Sequence, residues 1–227
     1  MKEWWHRTGV PLDRITVIPL GVDTKLFHPR RGARRVLGFP EGVPILLCVT
    51  RLSKENGVNV VLQGAAMVMR DVSNCELHVV GSGPEQERLM ALANELGISE
   101  QTIWHGWVDL AYLPFYYSAA DLFVFAGRSG GTPRVLLQAM ACGAPVLASR
   151  IGGIVDHVAE GRTGLLFEPG VAEALARQAS YVLMNRDFGS ELGCKACEYA
   201  RTSLDWDVLA EKIHEVYVTL TPRKVSR

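Results

Sequence analysis

The sequence predicts an α/β protein in which a parallel sheet is covered by helices on both faces. Short runs of β-branched or apolar residues alternate with longer segments of helical periodicity along the chain. Most of these runs are apolar at successive positions, which is typical of strands buried on both faces. Glycine and proline are concentrated where a run and a helical segment meet. These observations favour βαβ units repeated along the whole chain.

The strand candidates are residues 15–19, 44–50, 76–80, 102–104, 122–126, 145–148 and 164–167. The helix candidates are residues 57–70, 84–96, 111–119, 133–142, 154–159 and 171–185, followed by helix formers at 191–200 and a final helix at about 206–219. Ligands of parallel sheets bind beyond the carboxyl ends of the strands. A site is therefore expected in the loops after residues 50, 80, 104, 126 and 148.

The composition limits the classes of partner and compartment. The 24 basic and 24 acidic residues cancel, so no nucleic-acid partner is expected. No apolar run approaches the ~20 residues of a membrane span, and the first 25 residues lack the apolar stretch of a signal peptide. Five cysteines, an odd number, predict free thiols and a cytoplasmic protein. One domain is predicted over 1–227, with a leading segment at 1–30 and a C-terminal helix and tail at 203–227; the basic tail at 223–227 is predicted to be a frayed end.

Histidine and cysteine spacing gives no metal signal. Cys194 and Cys197 form a CxxC pair, but they lie within helix formers and have no second ligand set. We therefore expect them to occupy a packing face of a helix. The six histidines are scattered without a metal-binding pair, and a GxSxG nucleophile motif is absent from the sequence.

A glycine-rich loop follows the strand candidate at 122–126. It contains Gly130, Gly131 and Thr132 and leads into an apolar helix that begins near Pro133. Backbone amides at such a helix start bind phosphate groups. The alternative is a tight turn in which the glycines only supply positive φ. This segment alone leaves both interpretations open.

Two further loops hold candidate binding residues. Gly81 and Gly83 match only part of a dinucleotide fingerprint, which favours a tight strand-to-helix turn and disfavours a nicotinamide enzyme. Arg51 follows the most apolar strand, where its guanidinium could bind phosphate or pair with Glu55. His105 lies at a strand end, where it could face a ligand or be a structural histidine.

Taken in order, ten segments carry a resemblance to a known family. They are residues 14–23, 27–29, 49–52 with Gly57, 79–84, 105–107, 119–124, 131–137, 139–146, 152–153 and 161–166. Together they resemble the C-terminal, donor-binding half of retaining GT-B glycosyltransferases of the family 4, or group 1, type. The resemblance covers nearly the whole chain and implies a Rossmann-like domain that forms one half of a GT-B fold.

The resemblance also implies an activity. Such a domain binds a nucleotide sugar, and with an N-terminal acceptor domain it transfers a hexosyl group with retention. No metal or other cofactor is expected. We expect this chain to lack the acceptor domain, which a partner could supply in trans, and the apolar face of the final helix to be partly exposed. Nucleotide base contacts are expected mainly from the backbone near residues 106–108, with Trp107 as a further candidate.

Three of the four signature positions of that family differ here. The family uses an arginine and a lysine on the donor diphosphate, and an E-x7-E pair on the sugar and the ribose. Arg51 matches the arginine, whereas the lysine position is Asn56 and the glutamate positions are Gly130 and Gln138. Lys54, Arg128 or Ser129 could compensate. We therefore expect the isolated chain to be inactive; the alternative is a non-catalytic nucleotide-binding or partner-subunit domain.

Overall fold

The computed structural model describes residues 2–220, apart from the side chain of Glu3. The helices are α1 Lys2–Arg7, α2 Ala33–Leu37, α3 Val58–Asp71, α4 Gln86–Glu95, α5 Leu113–Ala119, α6 Arg134–Ala141, α7 Ala172–Met184, α8 Arg186–Tyr199 and α9 Trp206–Leu220. The strands are β1 Ile45–Val49, β2 Glu76–Val80, β3 Thr102–Gly106, β4 Leu122–Phe125, β5 Val146–Ser149 and β6 Leu165–Phe167. Short 3₁₀ turns lie at Leu12–Arg14, Lys54–Asn56 and Gly152–Ile154, and a π-helical turn lies at Ala200–Leu204.

The six strands form one sheet in the order β3-β2-β1-β4-β5-β6, and every pairing is parallel. Chain order reverses between β1 and β4, as in a Rossmann-like fold. The parallel strands place all their carboxyl ends at one edge. The predicted fold class is confirmed.

The sheet is apolar on both faces because helices cover both. Leu46 and Cys48 of β1 pack in a cluster with α3 and α7, whereas Leu47 and Val49 pack in a second cluster with α5 and α6. This alternation follows from the two-residue period of a strand. Burial raises the pKa of the Cys48 thiol to about 12, so this thiol is a core group rather than a reactive one.

Two predicted elements are wrong. Residues 15–19 form no strand, although their β-branched composition predicts one, because they pair with no neighbouring strand in the described chain, and Val17 is exposed. Residues 154–159 form no α-helix: the 3₁₀ turn at Gly152–Ile154 is followed by irregular turns. The basic tail at 223–227 lies outside the described residues.

The leading segment packs against the C-terminal part of the chain. The Val22 amide donates to the Leu204 carbonyl over 2.9 Å, and the Thr24 hydroxyl donates to the Asp205 carboxylate. Helix α9 buries Leu209 but leaves Trp206 and Val218 exposed, as expected for its apolar face. No helix in residues 2–220 is long and apolar enough to cross a membrane.

Candidate functional site

A cavity of about 500 Å³ opens at the carboxyl ends of β1, β2 and β3. This volume falls in the range of small-molecule sites. The cavity lies beside the β1–β4 boundary, where ligands of such sheets bind. Its lining residues are Val49, Thr50, Arg51, Val80, Gly81, Ser82, Gly83, Trp107, Val108, Leu113 and Val135. Four of the predicted candidates, Arg51, Gly81, Gly83 and Trp107, are thus brought together.

Gly81 and Gly83 let two loops approach each other backbone to backbone. Gly81 has φ +129°, and a Cβ there would lie 1.9 Å from the Thr50 carbonyl oxygen. A Cβ on Gly83 would lie 2.3 Å from the Leu52 carbonyl oxygen. No side chain fits at either distance. Both glycines therefore permit a tight turn after β2, and both line the cavity as well.

Arg51 lies exposed at the rim of this cavity. Within the described residues no ion pair joins it to Glu55. Its own carbonyl oxygen accepts a hydrogen bond of 2.8 Å from the side-chain amide of Asn56. Asn56 thus stabilises the loop that carries Arg51, a role that needs no positive charge.

The loops that follow β1 and β4 are joined at the sheet edge. Gly57 has φ +64°, and a Cβ there would lie 2.0 Å from the Ala126 carbonyl oxygen. The Arg128 amide donates to the Glu55 carbonyl over 2.9 Å. Arg128 is exposed, so a second guanidinium belongs to the same loop pair as Arg51.

The loop at Gly130 to Thr132 rests on the loop after β5. A Cβ on Gly152 would lie 2.5 Å from the Gly130 carbonyl oxygen, and the Thr132 hydroxyl donates to the Gly153 carbonyl over 3.1 Å. Gly130 itself has φ +120°, but its missing Cβ would meet nothing within 4 Å. Gly131 likewise has open space around it. The space for a side chain is therefore present at Gly130, while the backbone there favours glycine.

Gln138 on α6 is directed toward the protein interior. Its side-chain carbonyl accepts a hydrogen bond of 3.0 Å from the hydroxyl of Tyr117. Tyr117 is fully buried, so this contact satisfies a hydroxyl that water does not reach. The residue of α6 that lines the cavity is Val135.

His105 does not line the cavity but belongs to a hydrogen-bonded group behind it. Its Nε2 lies 3.0 Å from Nδ1 of His78, and Nε2 of His78 lies 2.9 Å from the Glu76 carboxylate. The Tyr116 hydroxyl lies 3.4 Å from Nδ1 of His105. Burial, assisted by the neighbouring His78, lowers the pKa of His105 to about 4. Burial also lowers the pKa of His78.

A second cavity, of about 520 Å³, lies between the irregular turns after β5 and helix α8. Arg162, Lys195, Asp156 and Glu198 contribute both signs of charge to its lining. None of the predicted site residues line it, so the first cavity is the candidate site.

The CxxC pair lies on α8. The Cys197 thiol packs against the Ala141 carbonyl at 3.3 Å, while Cys194 is exposed. The predicted packing face therefore holds for Cys197 and not for Cys194. Among residues 2–220, no group of three or more histidine, cysteine or acidic residues could hold a metal ion.

The sequence profile described as "Glycosyl transferases group 1" matches residues 29–202. This span contains every strand of the sheet and every residue that lines the first cavity. The chain belongs to this family. Group 1 glycosyl transferases thus include a protein with glycine at position 130 and glutamine at position 138.

Curated glycosyltransferases align with nearly all of this chain. A GDP-mannose-dependent alpha-(1-6)-phosphatidylinositol monomannoside mannosyltransferase of Mycobacterium tuberculosis is 29% identical, covering 89% of this chain and 55% of its own length. A D-inositol 3-phosphate glycosyltransferase of Acidothermus cellulolyticus is 34% identical, covering 92% of this chain and 49% of its own length. The chain spans about half the length of these relatives.

Solved structures share the fold. Sucrose-phosphate synthase from Thermosynechococcus elongatus superposes with a TM-score of 0.85 at 31% identity, covering 96% of this chain and 56% of the other. Anabaena HepE in complex with UDP superposes with a TM-score of 0.86 at 22% identity, covering 96% of this chain and 61% of the other. These chains are GT-B glycosyltransferases, so the Rossmann-like sheet is that of a GT-B half.

Sequence reasoning missed several residues around the site. Val135 and Leu113 line the cavity from helices, and their apolar character alone does not separate them from core residues. The contacts of His105 were missed because the register between β2 and β3 shifts next to it. Strand alternation from the sequence cannot predict such a shift.

Proposed function

We propose that this chain binds a nucleoside diphosphate sugar in the first cavity and is the donor-binding half of a hexosyltransferase. Together with an acceptor domain it would transfer the hexosyl group with retention, as the family resemblance implies. The observation that carries the proposal is Arg51 at the rim of an apolar cavity, at the edge where a Rossmann-like sheet binds ligands.

The cavity suits the base and ribose of a nucleotide. Val49, Val80 and Leu113 give it apolar walls, and the indole of Trp107 is 74% exposed at its side. A planar base can stack on such an indole and bury apolar surface. HepE, which shares this fold, was solved in complex with UDP, which supports a nucleotide as the class of ligand.

The diphosphate would meet Arg51 and the neighbouring loop amides. Arginine binds phosphate through paired, charge-assisted hydrogen bonds. Arg128 belongs to the loop that contacts residues 55–57, so it is the residue that we expect to supply a second charge in place of the family lysine. No metal is needed in this arrangement.

Catalysis by these 227 residues alone should be weak. Asn56 cannot offset the charge that develops on a leaving diphosphate, and Gly130 has no side chain to contact the sugar. Removing one transition-state contact of this kind costs about 10²- to 10³-fold in rate. We therefore propose that the 227-residue chain retains donor binding and has little or no transferase activity.

The test is isothermal titration of the purified chain with UDP, GDP and ADP, and then with their hexose conjugates. We expect one diphosphate to bind, and Arg51→Ala to weaken that binding by about tenfold or more, because a charged hydrogen bond contributes about 1.5–3 kcal/mol. The matched control is Arg70→Ala, an exposed arginine at the far end of α3, which should bind like the unaltered chain. A folded chain that binds none of these ligands would refute the proposal.

A second candidate function is that of a non-catalytic nucleotide-binding or partner-subunit domain. The observation that favours it is the hydrogen bond from the buried Tyr117 hydroxyl to Gln138. Gln138 stands at the position that binds the ribose in the family, and here its side-chain carbonyl is used in a structural contact instead. Release of nucleoside diphosphate from the bound hexose conjugate when an acceptor domain is supplied in trans distinguishes the two functions, because only the first predicts it. Robust turnover by the 227-residue chain would rule out this second function and contradict the proposed inactivity.

A further inference from the structure

Four side chains on three elements form a continuous hydrogen-bonded chain beside the candidate site. Glu76 and His78 lie on β2, His105 lies on β3, and Tyr116 lies on α5. The rings of His78 and His105 stack with 22° between their planes, and Phe39 covers His78 with the two ring centres 4.2 Å apart. The group is therefore held by packing as well as by hydrogen bonds.

The chain of hydrogen bonds has one direction when both histidines are neutral. The Glu76 carboxylate can only accept, so Nε2 of His78 carries the proton and Nδ1 of His78 is an acceptor. His105 then donates from Nε2 to that acceptor, which leaves its own Nδ1 to accept from the Tyr116 hydroxyl. One tautomer of each histidine satisfies the whole set.

This chain ties together the two ends of the loop that follows β3. His105 precedes Gly106, whose carbonyl accepts from the Gly81 amide over 2.7 Å. The loop then passes through Trp107 and Val108, which line the cavity, and ends at α5, which carries Leu113 on the cavity side and Tyr116 in the chain. The contact between His105 and Tyr116 therefore closes the base of a loop whose body forms one side of the cavity.

A backbone irregularity places His105 in this position. Val79 pairs with Trp104, but Val80 pairs with Gly106, so His105 is the extra residue of a β-bulge. Bulges redirect side chains and are frequent beside functional sites. Packing of the core alone would require neither a β-bulge at His105 nor one defined tautomer of each histidine.

We propose that His105 is a positioning residue that, through His78 and Tyr116, holds the 106–112 loop in the shape that binds the nucleotide. The identity of the ligand in this inference rests on the proposed function, whereas the anchoring of the loop does not. The same arrangement makes the loop sensitive to acid. When both histidines are protonated, Nδ1 of His78 and Nε2 of His105 are both donors, and the link between them is lost.

The charged and titratable groups around the pair are few among the described residues. Glu76 and Tyr116 contact it directly, and Arg34 of α2 acts on His78 from a distance while paired with Asp121. Because burial holds the pKa of His105 at about 4 in the folded chain, the unfolded chain binds more protons between about pH 6.5 and pH 4. Anchoring should therefore be complete at neutral pH and be lost as the pH falls through this window.

The first measurement is amide hydrogen exchange at residues 106–112 in the 227-residue chain at pH 7. We expect His105→Leu and Tyr116→Phe to accelerate exchange there about fivefold, while His105→Gln, whose amide can still donate to His78, exchanges more slowly than His105→Leu. Tyr199→Phe is the matched control, because the Tyr199 hydroxyl lies at the same 3.4 Å from Nδ1 of a different histidine, the buried His157. It should leave residues 106–112 unchanged.

The second measurement is the affinity for UDP and GDP between pH 7.5 and pH 4.5. In the unaltered chain we expect affinity to fall toward acid, whereas His105→Leu should bind about fivefold more weakly at pH 7 and with a flatter pH profile. Unchanged exchange at residues 106–112 in both His105→Leu and Tyr116→Phe overturns the inference, whatever the nucleotide result. Accelerated exchange without binding of any nucleotide by the unaltered chain supports the anchoring and contradicts the proposed function alone.

Discussion

Two glycines at the sheet edge have nearly the same φ angle in opposite surroundings. Gly81 has φ +129° and Gly130 has φ +120°. The carbonyl of Thr50 blocks any side chain at Gly81, whereas open space surrounds the missing Cβ of Gly130. Close backbone packing therefore shapes the sheet edge after β1, β2 and β3. The loop after β4 instead has room for a side chain, which Gly130 does not have. Retained binding and altered catalysis would follow from this difference.

The largest expected effect comes from adding a methyl group at each glycine. Gly81→Ala should lower the free energy of unfolding by about 4 kcal/mol, because backbone strain and a forced displacement of Thr50 act together. Gly130→Ala should cost only the strain, about 1–3 kcal/mol. Denaturant unfolding of both variants measures the comparison directly. Equal losses would mean that the close approach at Gly81 contributes nothing beyond the backbone angle.

A smaller effect is expected where α6 meets the core. Gln138→Leu should lower the free energy of unfolding by about 1–3 kcal/mol, because the buried Tyr117 hydroxyl loses its acceptor. Gln138→Glu keeps an acceptor and should cost less. In a double-mutant cycle, Tyr117→Phe should remove most of the penalty of Gln138→Leu. Additive losses in that cycle would show that the two side chains are energetically independent.

The sequence predicted the sheet well because a parallel strand buried on both faces needs an apolar run, and most of the six strands contain one. It failed at residues 15–19, since β-branched residues do not reveal whether a neighbouring strand is available. Among site residues, Arg51 is placed by the strand before it. The engagement of Gln138 with Tyr117 depends on side-chain direction across two helices, which spacing along the sequence does not determine.

The smallest expected effect sharpens the comparison on the β4 side. Asn56→Lys with Gln138→Glu should strengthen binding of the preferred hexose conjugate by about threefold to tenfold, because a further cation then faces the diphosphate beside Arg51 and Arg128. Adding Gly130→Glu should give little more, since the backbone angle at that position opposes a side chain. Titration of the double and triple variants tests both statements. No gain in either variant would mean that the cavity is misassigned or has another use.

The contact between Gly57 and the Ala126 carbonyl limits which mutations the chain can accept. At that point the crevice between β1 and β4 has a base made of peptide groups, with no side chain interposed. A substitution of a surrounding side chain leaves those peptide groups in place, whereas any side chain at position 57 would collide with the Ala126 carbonyl. The base of the crevice is therefore passed on intact only as long as the codon for Gly57 is kept.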